Sequence, residues 1–318
     1  MTPTQLRAFA AVARRGSVKE ASVDLGVSDA ANSLHMAQLR KELGDQLFVR
    51  TASGLAFTPG GLRLASRAAE MLGLQDRTIR EVSQAGSGRR LLRVAASSLF
   101  AEHAAPGLIE LFTSRADDLD VEMSVATPSQ FSTMLLARSV DVAIGPVPPD
   151  ADPVLTRTPF LKYQVVAVVG PGHQLARARV SMDQLREQTW LLGPAAAAEG
   201  GVVPQMLRRI HVPEDHQRIF QSAAAALEET QRGTGVSLAP SFVVAQDVAE
   251  GRLVKLAGPG LQAEGTWNAL TLPEHSPTSA VAELARFVST PRATQAMLRG
   301  SGVNVGHFKP SVHVTLWS

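Results

Sequence analysis

Short polar side chains cluster near the start of the third helix that the sequence predicts. Asp29, Asn32, Ser33 and His35 fall on the outward positions of a helix that runs over about 28–43. Side chains of this kind can enter the major groove of duplex DNA and exchange hydrogen bonds with base edges. The pattern therefore predicts base contact by Asn32, Ser33 and His35, while Asp29 could accept from a cytosine amino group or position a neighbouring side chain. The alternative is an exposed polar face on a small helical bundle.

Two capped helices come before this helix and position it. Residues 2–5 (Thr-Pro-Thr-Gln) and 17–20 (Ser-Val-Lys-Glu) are both capping boxes, in which a hydroxyl accepts from a backbone N–H and a Gln or Glu side chain reaches back. Gly26 and Val27 alone separate the second helix from Ser28, which caps the third. Two short helices joined by a tight glycine turn predict a helix-turn-helix, whose second helix lies in the major groove.

A pair of short strands is predicted after the third helix. Residues 46–50 and 55–58 read as strands around a turn at 52–54, which is the layout of a wing. Basic residues on the wing and at the end of the third helix are placed to contact phosphate oxygens. The residues predicted to contact the DNA backbone are Arg40, Lys41 and Arg50, and Ser28 and Ser53 complete the predicted DNA-binding set.

Length and composition exclude several other classes of protein. A chain of 318 residues can hold two or three domains. It shows no apolar run of the roughly 18 residues that a membrane-spanning helix needs, and no basic head followed by an apolar core that would mark a secretory signal. The absence of cysteine excludes disulfides and thiol nucleophiles. We therefore expect a soluble, cytoplasmic protein with no membrane partner.

Charge is distributed unevenly along the chain. Residues 1–90 contain 13 Lys and Arg against 8 Asp and Glu, whereas the remainder contains 18 against 21. The first part therefore carries a formal charge of +5 and the rest −3, although the whole chain carries only +2. A basic N-terminal part joined to a mildly acidic body fits one module that faces nucleic acid and a second module that faces another partner.

One long helix is predicted after the wing. Thr58 caps it, Pro59 stands at its first position, and apolar or small residues recur at helical spacing to about Val82. A helix of about 24 residues spans roughly 36 Å, which is too long to be buried against one small domain. Its alanine-rich stripe predicts antiparallel pairing with a second copy of the chain, and the alternative is a helix packed on its own chain. Residues 85–88 then form a hinge.

The remainder of the chain alternates strands and helices. Buried strands are predicted at 92–96, 121–125 and 140–145, with a helix after each of the first two. This order predicts an α/β fold with a largely parallel sheet. Because later segments return the chain toward the first strands, we expect two sheets, a cleft between two lobes, and helix N-termini pointing at that cleft. The other predicted elements are strands at 165–169, 190–193, 236–240, 253–256 and 268–272 and a helix at 204–210.

Taken in order, these segments resemble the LysR-type family of transcriptional regulators over nearly the whole chain. In the body, 140–144 (Val-Asp-Val-Ala-Ile) resembles the family's DLAI strand, 233–240 (Gly-Thr-Gly-Val-Ser-Leu-Ala-Pro) its GLGIALLP segment, and 251–254 (Gly-Arg-Leu-Val) its GRLV segment. The N-terminal residues that carry the resemblance to the family's winged helix are 5–9, 12–13, 16–17, Ala21, Leu25, 27–28, Ala31, Ser33, Leu39, 42–44, 47–48, 50–51 and 58–61.

The resemblance implies both an architecture and a function. It implies an N-terminal winged helix-turn-helix, a long linker helix that forms a homodimer, and a two-lobed α/β effector domain like the periplasmic binding proteins. It further implies a homotetramer, contact with RNA polymerase, and DNA binding or bending that a small-molecule effector modulates. The implied boundaries are 1–58 for the DNA-binding domain, 59–88 for the linker helix and hinge, and 89–318 for the effector-binding domain, with lobe I at 89–163 and 266–318 and lobe II at 164–265.

The start of the third helix departs from the family. After Ser28 the family usually has Gln-Pro-Ala-Leu-Ser-Arg, whereas this chain has Asp-Ala-Ala-Asn-Ser-Leu at 29–34. A carboxylate replaces a base-reading amide at Asp29, and Leu34 replaces an arginine that would hold DNA. The wing also carries Ser53 where the family often has a basic residue. The family's half-site preference therefore does not transfer to this chain.

The resemblance also places an effector site between the lobes. By position, hydroxyl residues after the first two strands of the body match one side of the family's pocket, and an alanine-rich loop of lobe II faces them. Hydroxyls and free N–H groups at helix ends suit an anion, so an anionic effector is one expectation, and plain N-capping is the alternative role for Ser97 and Ser98. The predicted effector-binding residues are Ser97, Ser98, Thr127, Ser129, Gly193 and Pro194, with the 195–201 loop beside them.

Two other classes of protein compete with a regulator. A two-lobed periplasmic solute receptor would share the body, but it would need a signal peptide and no winged helix. For an enzyme, there is no GxSxG elbow, no Walker loop and no GxGxxG after the first strand, and the eight histidines lack metal-ligand spacing. Spacing does not exclude a Ser-His-Asp site assembled at long range. We predict no catalytic residue, metal or cofactor. The tail at 300–318 extends past the family's usual end and could add a strand or an interface.

Overall fold

The computed structural model of the chain falls into two units. Unit 1 runs from Met1 to Ser87 and includes Leu136–Ser139, and unit 2 comprises Gly88–Leu135 and the chain from Val140. Among the described residues, no helix is both long enough and apolar enough to cross a membrane. The structure describes residues 1–51, 54–85, 88–177, 180–198, 200–273, 279–299 and 314–315.

Each of the first three helices of unit 1 begins at a hydroxyl and ends at a glycine in the left-handed conformation. Thr2, Ser17 and Ser28 accept hydrogen bonds from the backbone N–H three residues on, at 3.3, 3.4 and 3.2 Å. Gln5 completes the predicted box at Thr2, because its side chain accepts from the Thr2 N–H at 2.7 Å. The predicted helix-turn-helix is therefore confirmed. These helices are α1 (Pro3–Arg15), α2 (Val18–Leu25) and α3 (Asp29–Leu43).

A two-stranded hairpin forms the predicted wing. Strands β1 (Phe48–Thr51) and β2 (Gly54–Phe57) pair antiparallel, with Phe48 opposite Phe57. Phe9 of α1 packs against both of these rings, with centroid distances of 6.4 and 6.3 Å. The wing and the three helices therefore share one hydrophobic core, which fixes the position of the wing beside α3.

The long helix α4 (Pro59–Ala85) contains 27 residues and begins at its predicted cap. Thr58 Oγ1 accepts from the Gly61 N–H at 2.9 Å. Gly61 lies so close to the turn before the wing that a Cβ there would come within 1.9 Å of the Leu47 carbonyl oxygen. The first turn of α4 is therefore fixed against the segment that leads into the wing.

Unit 2 is built on one hydrogen-bonded sheet, ten-stranded in the part of the chain that the structure describes. Its strands are β3 (Arg90–Ala96), β4 (Leu119–Val125), β5 (Val142–Gly145), β6 (Thr156–Val169), β7 (Trp190–Leu192), β8 (Gln217–Ile219), β9 (Val236–Pro240), β10 (Val254–Lys255), β11 (Gln262–Thr271) and β12 (Val314–Thr315). They lie in the order β12-β4-β3-β5-β11-β6-β9-β7-β8, and β10 also pairs with β6. β3 is parallel to β4 and β5, and β7 is parallel to β8 and β9.

Two long antiparallel strands join the halves of this sheet. β6 and β11 have 14 and 10 residues and pair with each other, and β11 also runs antiparallel to β5. The prediction of two sheets was therefore wrong, because one sheet runs through both halves. The predicted parallel pairing is present within each half, and the strands that join the halves are antiparallel. Residues 156–164 include Pro159 and several polar side chains, so they lack the apolar run that signals a buried strand. Below, lobe I is the side that carries β3–β5, and lobe II is the side that carries β7–β9.

Helices pack against the sheet of unit 2. The single helix predicted after the first strand is divided in two, because Pro106 at the start of the second helix has no N–H with which to continue the first. In lobe I, the buried Arg93 and Asp141 side chains form an ion pair at 2.8 Å that joins β3 to the turn before β5. The helices are α5 (Ser98–His103), α6 (Ala105–Thr113), α7 (Phe131–Leu136), α8 (Met182–Arg186), α9 (Val202–Ile210), α10 (Ala223–Gln231), α11 (Ser241–Ala249), α12 (Ala280–Phe287) and α13 (Pro291–Arg299).

Only two residues of the C-terminal tail are described. Val314 and Thr315 form the short strand β12, which pairs parallel with Met123 and Ser124 of β4. A strand from the tail was one of the two alternatives for 300–318, and it is present at these residues. The remainder of the tail, and the hinge at Gly86 and Ser87, lie outside the described residues.

Candidate nucleic-acid interface and effector cleft

Most of the residues predicted to contact DNA lie at the surface of unit 1. Asp29 stands in the first turn of α3, where a carboxylate is favoured by the helix dipole. His35 is half-buried, and its Nδ1 has no hydrogen-bond partner in the part of the chain that the structure describes. Ser53 lies outside the described residues. The predicted residues that are exposed are Ser28, Asp29, Ser33, Lys41 and Arg50.

Asn32 does not belong to this exposed surface, and the prediction that it contacts a base was wrong. It is 0% exposed, and its Nδ2 donates to the Val18 carbonyl and to Ser22 Oγ, both at 3.1 Å. Asn32 therefore ties α3 to α2. The signal was present in the spacing, because position 32 lies on the same helical face as the core residues Met36 and Leu39.

Arg40 holds the wing in place, which was not predicted for it. Its Nε donates to the Gln46 carbonyl at 2.8 Å, its Nη2 donates to the Phe48 carbonyl at 3.0 Å, and its guanidinium lies 4.5 Å from the centre of the Phe48 ring. Two of its five N–H donors are thus engaged within unit 1, and the phosphate contact predicted for Arg40 stays a prediction. Lys41 and Arg50 are the exposed candidates for that role.

Asp45 organises the turn between α3 and the wing, and sequence reasoning missed it. Its Oδ1 accepts from the Leu47 N–H at 2.6 Å and from the Thr58 hydroxyl at 2.7 Å. These hydrogen bonds, that of Leu47 first, hold the pKa of Asp45 below its ordinary value. Leu47 has a φ of 62°, which is unfavourable for a residue with a side chain. The carboxylate stabilises this unusual backbone and so positions the wing.

A buried hydroxyl marks the predicted effector site in unit 2. Ser97 follows β3, is 4% exposed, and has no partner for its Oγ within the described residues. It stands at the N-cap of α5, but its hydroxyl makes no capping hydrogen bond. N-capping therefore does not account for this hydroxyl. Burying a polar group without a partner costs about 1–3 kcal/mol, so a ligand that hydrogen-bonds to Ser97 would remove that cost. Its neighbour Ser98, the first residue of α5, is also buried.

The hydroxyls that follow β4 are engaged in a local turn. Thr127 Oγ1 lies 3.0 Å from Ser129 Oγ, and the Thr127 N–H donates to Gln130 Oε1 at 3.1 Å. For these two residues local side-chain hydrogen bonds account for the hydroxyls. Ser97 and Ser98 are thus the stronger candidates among the four predicted hydroxyls.

The predicted lobe II residues lie against α5 and α10. Gly193 is close to the start of α10, since a Cβ at Gly193 would lie 2.9 Å from the Ala223 Cα. The following turn, Pro194–Ala197, packs against α5 of lobe I. The turn that begins at Pro194 therefore meets lobe I at the helix that Ser97 and Ser98 begin, and Gly193 precedes this turn.

Glu102 joins the two lobes directly and was not predicted. Its Oε2 accepts from the Ala223 N–H at the start of α10, at 2.9 Å. Burial raises the pKa of Glu102 above its ordinary value, and the Ala223 N–H acts in the opposite direction. The signal for Glu102 was its position four residues after Ser98, which places both on one face of α5.

His103, beside Glu102, is a buried neutral residue. It is 7% exposed, its Nε2 has no partner in the described chain, and burial lowers its pKa to about 4. At neutral pH the imidazole is therefore uncharged. Among the described residues, no group of three or more His, Asp and Glu side chains is arranged to hold a metal ion.

Two family models match the chain and together span most of it. The model described as the bacterial regulatory helix-turn-helix protein, lysR family, matches residues 3–62. The model described as the LysR substrate binding domain matches residues 85–290. These matches agree with the observed division into a helical N-terminal unit and a mixed α/β second unit.

Similar proteins are named as transcriptional regulators. The HTH-type transcriptional regulator Rv0377 of Mycobacterium tuberculosis strain H37Rv is 57% identical over 321 residues, covering 100% of each chain. The RuBisCO operon transcriptional regulator of Allochromatium vinosum is 28% identical and covers 83% of this chain and 87% of its own. These relatives are transcriptional regulators, not enzymes.

Solved structures show the same fold at lower identity. Full-length CbnR complexed with its target DNA has a TM-score of 0.55 at 21% identity, covering 93% of this chain and 100% of that one. ArgP from Mycobacterium tuberculosis has a TM-score of 0.56 at 17% identity, covering 94% and 96%. By its two matched domains and its relatives, the chain belongs to the LysR family of transcriptional regulators.

Proposed function

We propose that this regulator binds duplex DNA through α3 and the wing, and that a small molecule held between lobes I and II changes how it binds or bends that DNA. The single observation that carries the effector part is the buried hydroxyl of Ser97, which has no partner among the described residues and stands at the N-cap of α5, the helix that contacts lobe II. Differential affinity of the small molecule for two arrangements of the lobes would supply the coupling.

The surface of unit 1 supports the DNA-binding part. Ser33 is exposed on α3 for contact with base edges, and Lys41 in the last turn of α3 and Arg50 on the wing are exposed for contact with phosphates. The net charge of +5 over residues 1–90 favours the approach of a polyanion. The solved CbnR structure contains target DNA, which supports the same role for this chain.

Gel-shift titration with the intergenic DNA upstream of the gene tests this part. Arg50→Ala should weaken binding to all sequences and lower the salt slope by about 1, because one phosphate contact is lost. Ser33→Ala should weaken binding to the preferred sequence more than to random DNA. Arg292→Ala, which removes an exposed arginine from α13, is the control. Weak, salt-insensitive and sequence-blind binding by the unaltered protein would contradict the proposal.

Helix α4 supports a homodimer. Met71, Leu74, Ile79 and Val82 lie on one side of the helix and are 44, 50, 57 and 69% exposed. A second α4 would bury this stripe, and two such dimers would form the tetramer that the family implies.

Sedimentation tests the dimer: Leu74→Glu should give a monomer. Leu62→Glu, on the opposite side of α4 and 61% exposed, should not. Dimers that persist in Leu74→Glu would overturn this interface.

The effector part needs a ligand and a readout on DNA. A thermal-shift screen of small carboxylate metabolites against the full chain should give a hit whose stabilisation is lost in Ser97→Ala. Ser129→Ala is the matched control, because the local turn already accounts for its hydroxyl. The hit should then alter the DNase footprint or bend angle. A ligand that binds without changing either would refute the coupling, and a ligand insensitive to Ser97→Ala would refute the site.

A further inference from the structure

An apolar strip runs along the outer face of α3. Leu34 is 57% exposed, and Ala30 and Ala37, one helical turn before and after it, are also exposed. At about 100° per residue, these three positions lie together on the side opposite the buried Asn32, Met36 and Leu39. The strip therefore points directly away from the core of unit 1.

The charges around this strip indicate what covers it. Lys41 continues the same line of positions one turn after Ala37, and Arg50 is exposed on the neighbouring wing. An apolar strip that ends in exposed cations fits a polyanion with an apolar element at its surface. The major groove of DNA has such an element, the C5 methyl group of thymine, and the phosphates lie beside it.

We propose that Leu34 reads sequence by packing against thymine methyl groups in the major groove, with Ala30 and Ala37 allowing the close approach. The proposal rests on the proposed DNA-binding function and goes beyond it. An arginine at this position would donate hydrogen bonds to guanine or to phosphate. Leu34 has no hydrogen-bonding group, so its contribution to recognition is the removal of apolar surface from water.

The test uses a duplex selected by the full-length protein from a random 30-base-pair library, with affinity measured by fluorescence anisotropy. Each thymine is replaced in turn by deoxyuridine, which removes the C5 methyl group and leaves base pairing intact. For the unaltered protein we expect one or two positions at which the replacement weakens binding about three- to fivefold, the effect of one buried methyl group. At those positions Leu34→Ala should bind the thymine and uracil duplexes equally, which closes a double-mutant cycle.

Two further variants make the result specific. Leu298→Ala, the same truncation at an exposed leucine of α13, should keep the full thymine preference. Leu34→Arg, in a repeated selection, should shift the preferred base at the affected positions from thymine to guanine. Circular dichroism checks that each variant is folded, and alanine and arginine are both favourable in an exposed helix.

Three results would overturn the proposal, and they differ from a failure of DNA binding itself. The protein could select a sequence yet tolerate deoxyuridine at every position. Leu34→Ala could retain the thymine preference in full. Leu298→Ala could lose it to the same extent as Leu34→Ala. A protein that selects no sequence at all would instead refute the proposed DNA-binding function, on which the inference rests.

Discussion

Asn32 and Ser33 are neighbours in the sequence but differ in their surroundings, because a helix turns by about 100° at each residue. Asn32 is fully buried and donates to α2 from its amide nitrogen. Ser33 is exposed on the side that we expect to face DNA. Residue type alone suggests DNA contact for both, since Asn and Ser both hydrogen-bond to bases. Their roles differ because position 32 lies on the helical face that packs into the core and position 33 does not.

This difference predicts opposite phenotypes for two adjacent substitutions. Asn32→Ala should lower the stability of unit 1 by about 1–3 kcal/mol, because it removes buried hydrogen bonds and leaves Ser22 Oγ without that donor. Ser33→Ala should leave stability within about 0.5 kcal/mol and reduce DNA affinity. Hydrogen exchange of the α2 and α3 amides measures the first effect, and anisotropy measures the second. Equal stability of the two variants would contradict the assigned role of Asn32.

His103 makes the stability of unit 2 sensitive to acid. Burial lowers its pKa from the ordinary 6.5 to about 4. A base whose pKa is lowered on folding contributes stability that is fully present above the unfolded pKa and is lost as pH falls through the folded pKa. Between pH 6.5 and pH 4 the loss should approach about 3 kcal/mol. Urea unfolding followed by tryptophan fluorescence measures it, because all three tryptophans lie after residue 88.

The control for this prediction compares the pH dependence of stability in two histidine variants. Burial also lowers the pKa of His173, so the acid sensitivity of the unaltered protein has more than one source. His103→Gln should remove about 3 kcal/mol of the pH dependence between pH 6.5 and 4, whereas His173→Gln should leave that contribution in place. A His103→Gln variant that keeps the original pH profile would show that the buried imidazole is not the source.

At the scale of elements, features set by neighbouring residues were predicted correctly from the sequence, whereas features set by long-range contacts were missed. The hydroxyl caps and terminal glycines of α1, α2 and α3 involve residues a few positions apart, so the sequence shows them directly. The strand over residues 156–164 is stabilised by pairing with β11, about 100 residues later, and its own composition does not show this. Among site residues, Ser97 was predicted from its position, whereas Glu102 depends on a partner 121 residues away.

The junction of the wing and α4 depends on the absence of a side chain at Gly61. Gly61→Ala would place a methyl group within 1.9 Å of the Leu47 carbonyl oxygen, and backbone cannot yield as a flexible side chain can. We expect unit 1 to lose about 1–3 kcal/mol, the usual cost of overpacking, and DNA affinity to fall because the wing shifts. Gly172→Ala, where a Cβ meets nothing within 4 Å, is the control. Unchanged unfolding and DNA binding in Gly61→Ala would contradict this packing.

At the scale of the whole molecule, the proposed effector mechanism requires that the two lobes of unit 2 have more than one arrangement. The sheet is continuous through β6 and β11, so the lobes are joined by two long strands and not by loops. The Glu102–Ala223 hydrogen bond adds a direct tie between the lobes, and Glu102 lies one helical turn after Ser98 on the same face of α5. Substitutions at Glu102 can therefore distinguish the effect of the hydrogen bond to Ala223 from the effect of the buried charge.

Glu102→Gln and Glu102→Ala should have different effects on unit 2. The glutamine retains an oxygen that can accept from the Ala223 N–H and removes a buried charge, so it should raise the urea midpoint of unit 2 at pH 7. Burial raises the pKa of Glu102, so the unaltered protein loses stability as pH rises through that pKa and the carboxyl ionises. Below the ordinary pKa range of a carboxyl group Glu102 is protonated, and the difference in urea midpoint between Glu102→Gln and the unaltered protein should vanish. The alanine removes the acceptor, so the Ala223 amide should exchange faster with deuterium. If both variants showed the same exchange at Ala223 and the same midpoint, Glu102 could not be the tie between the lobes.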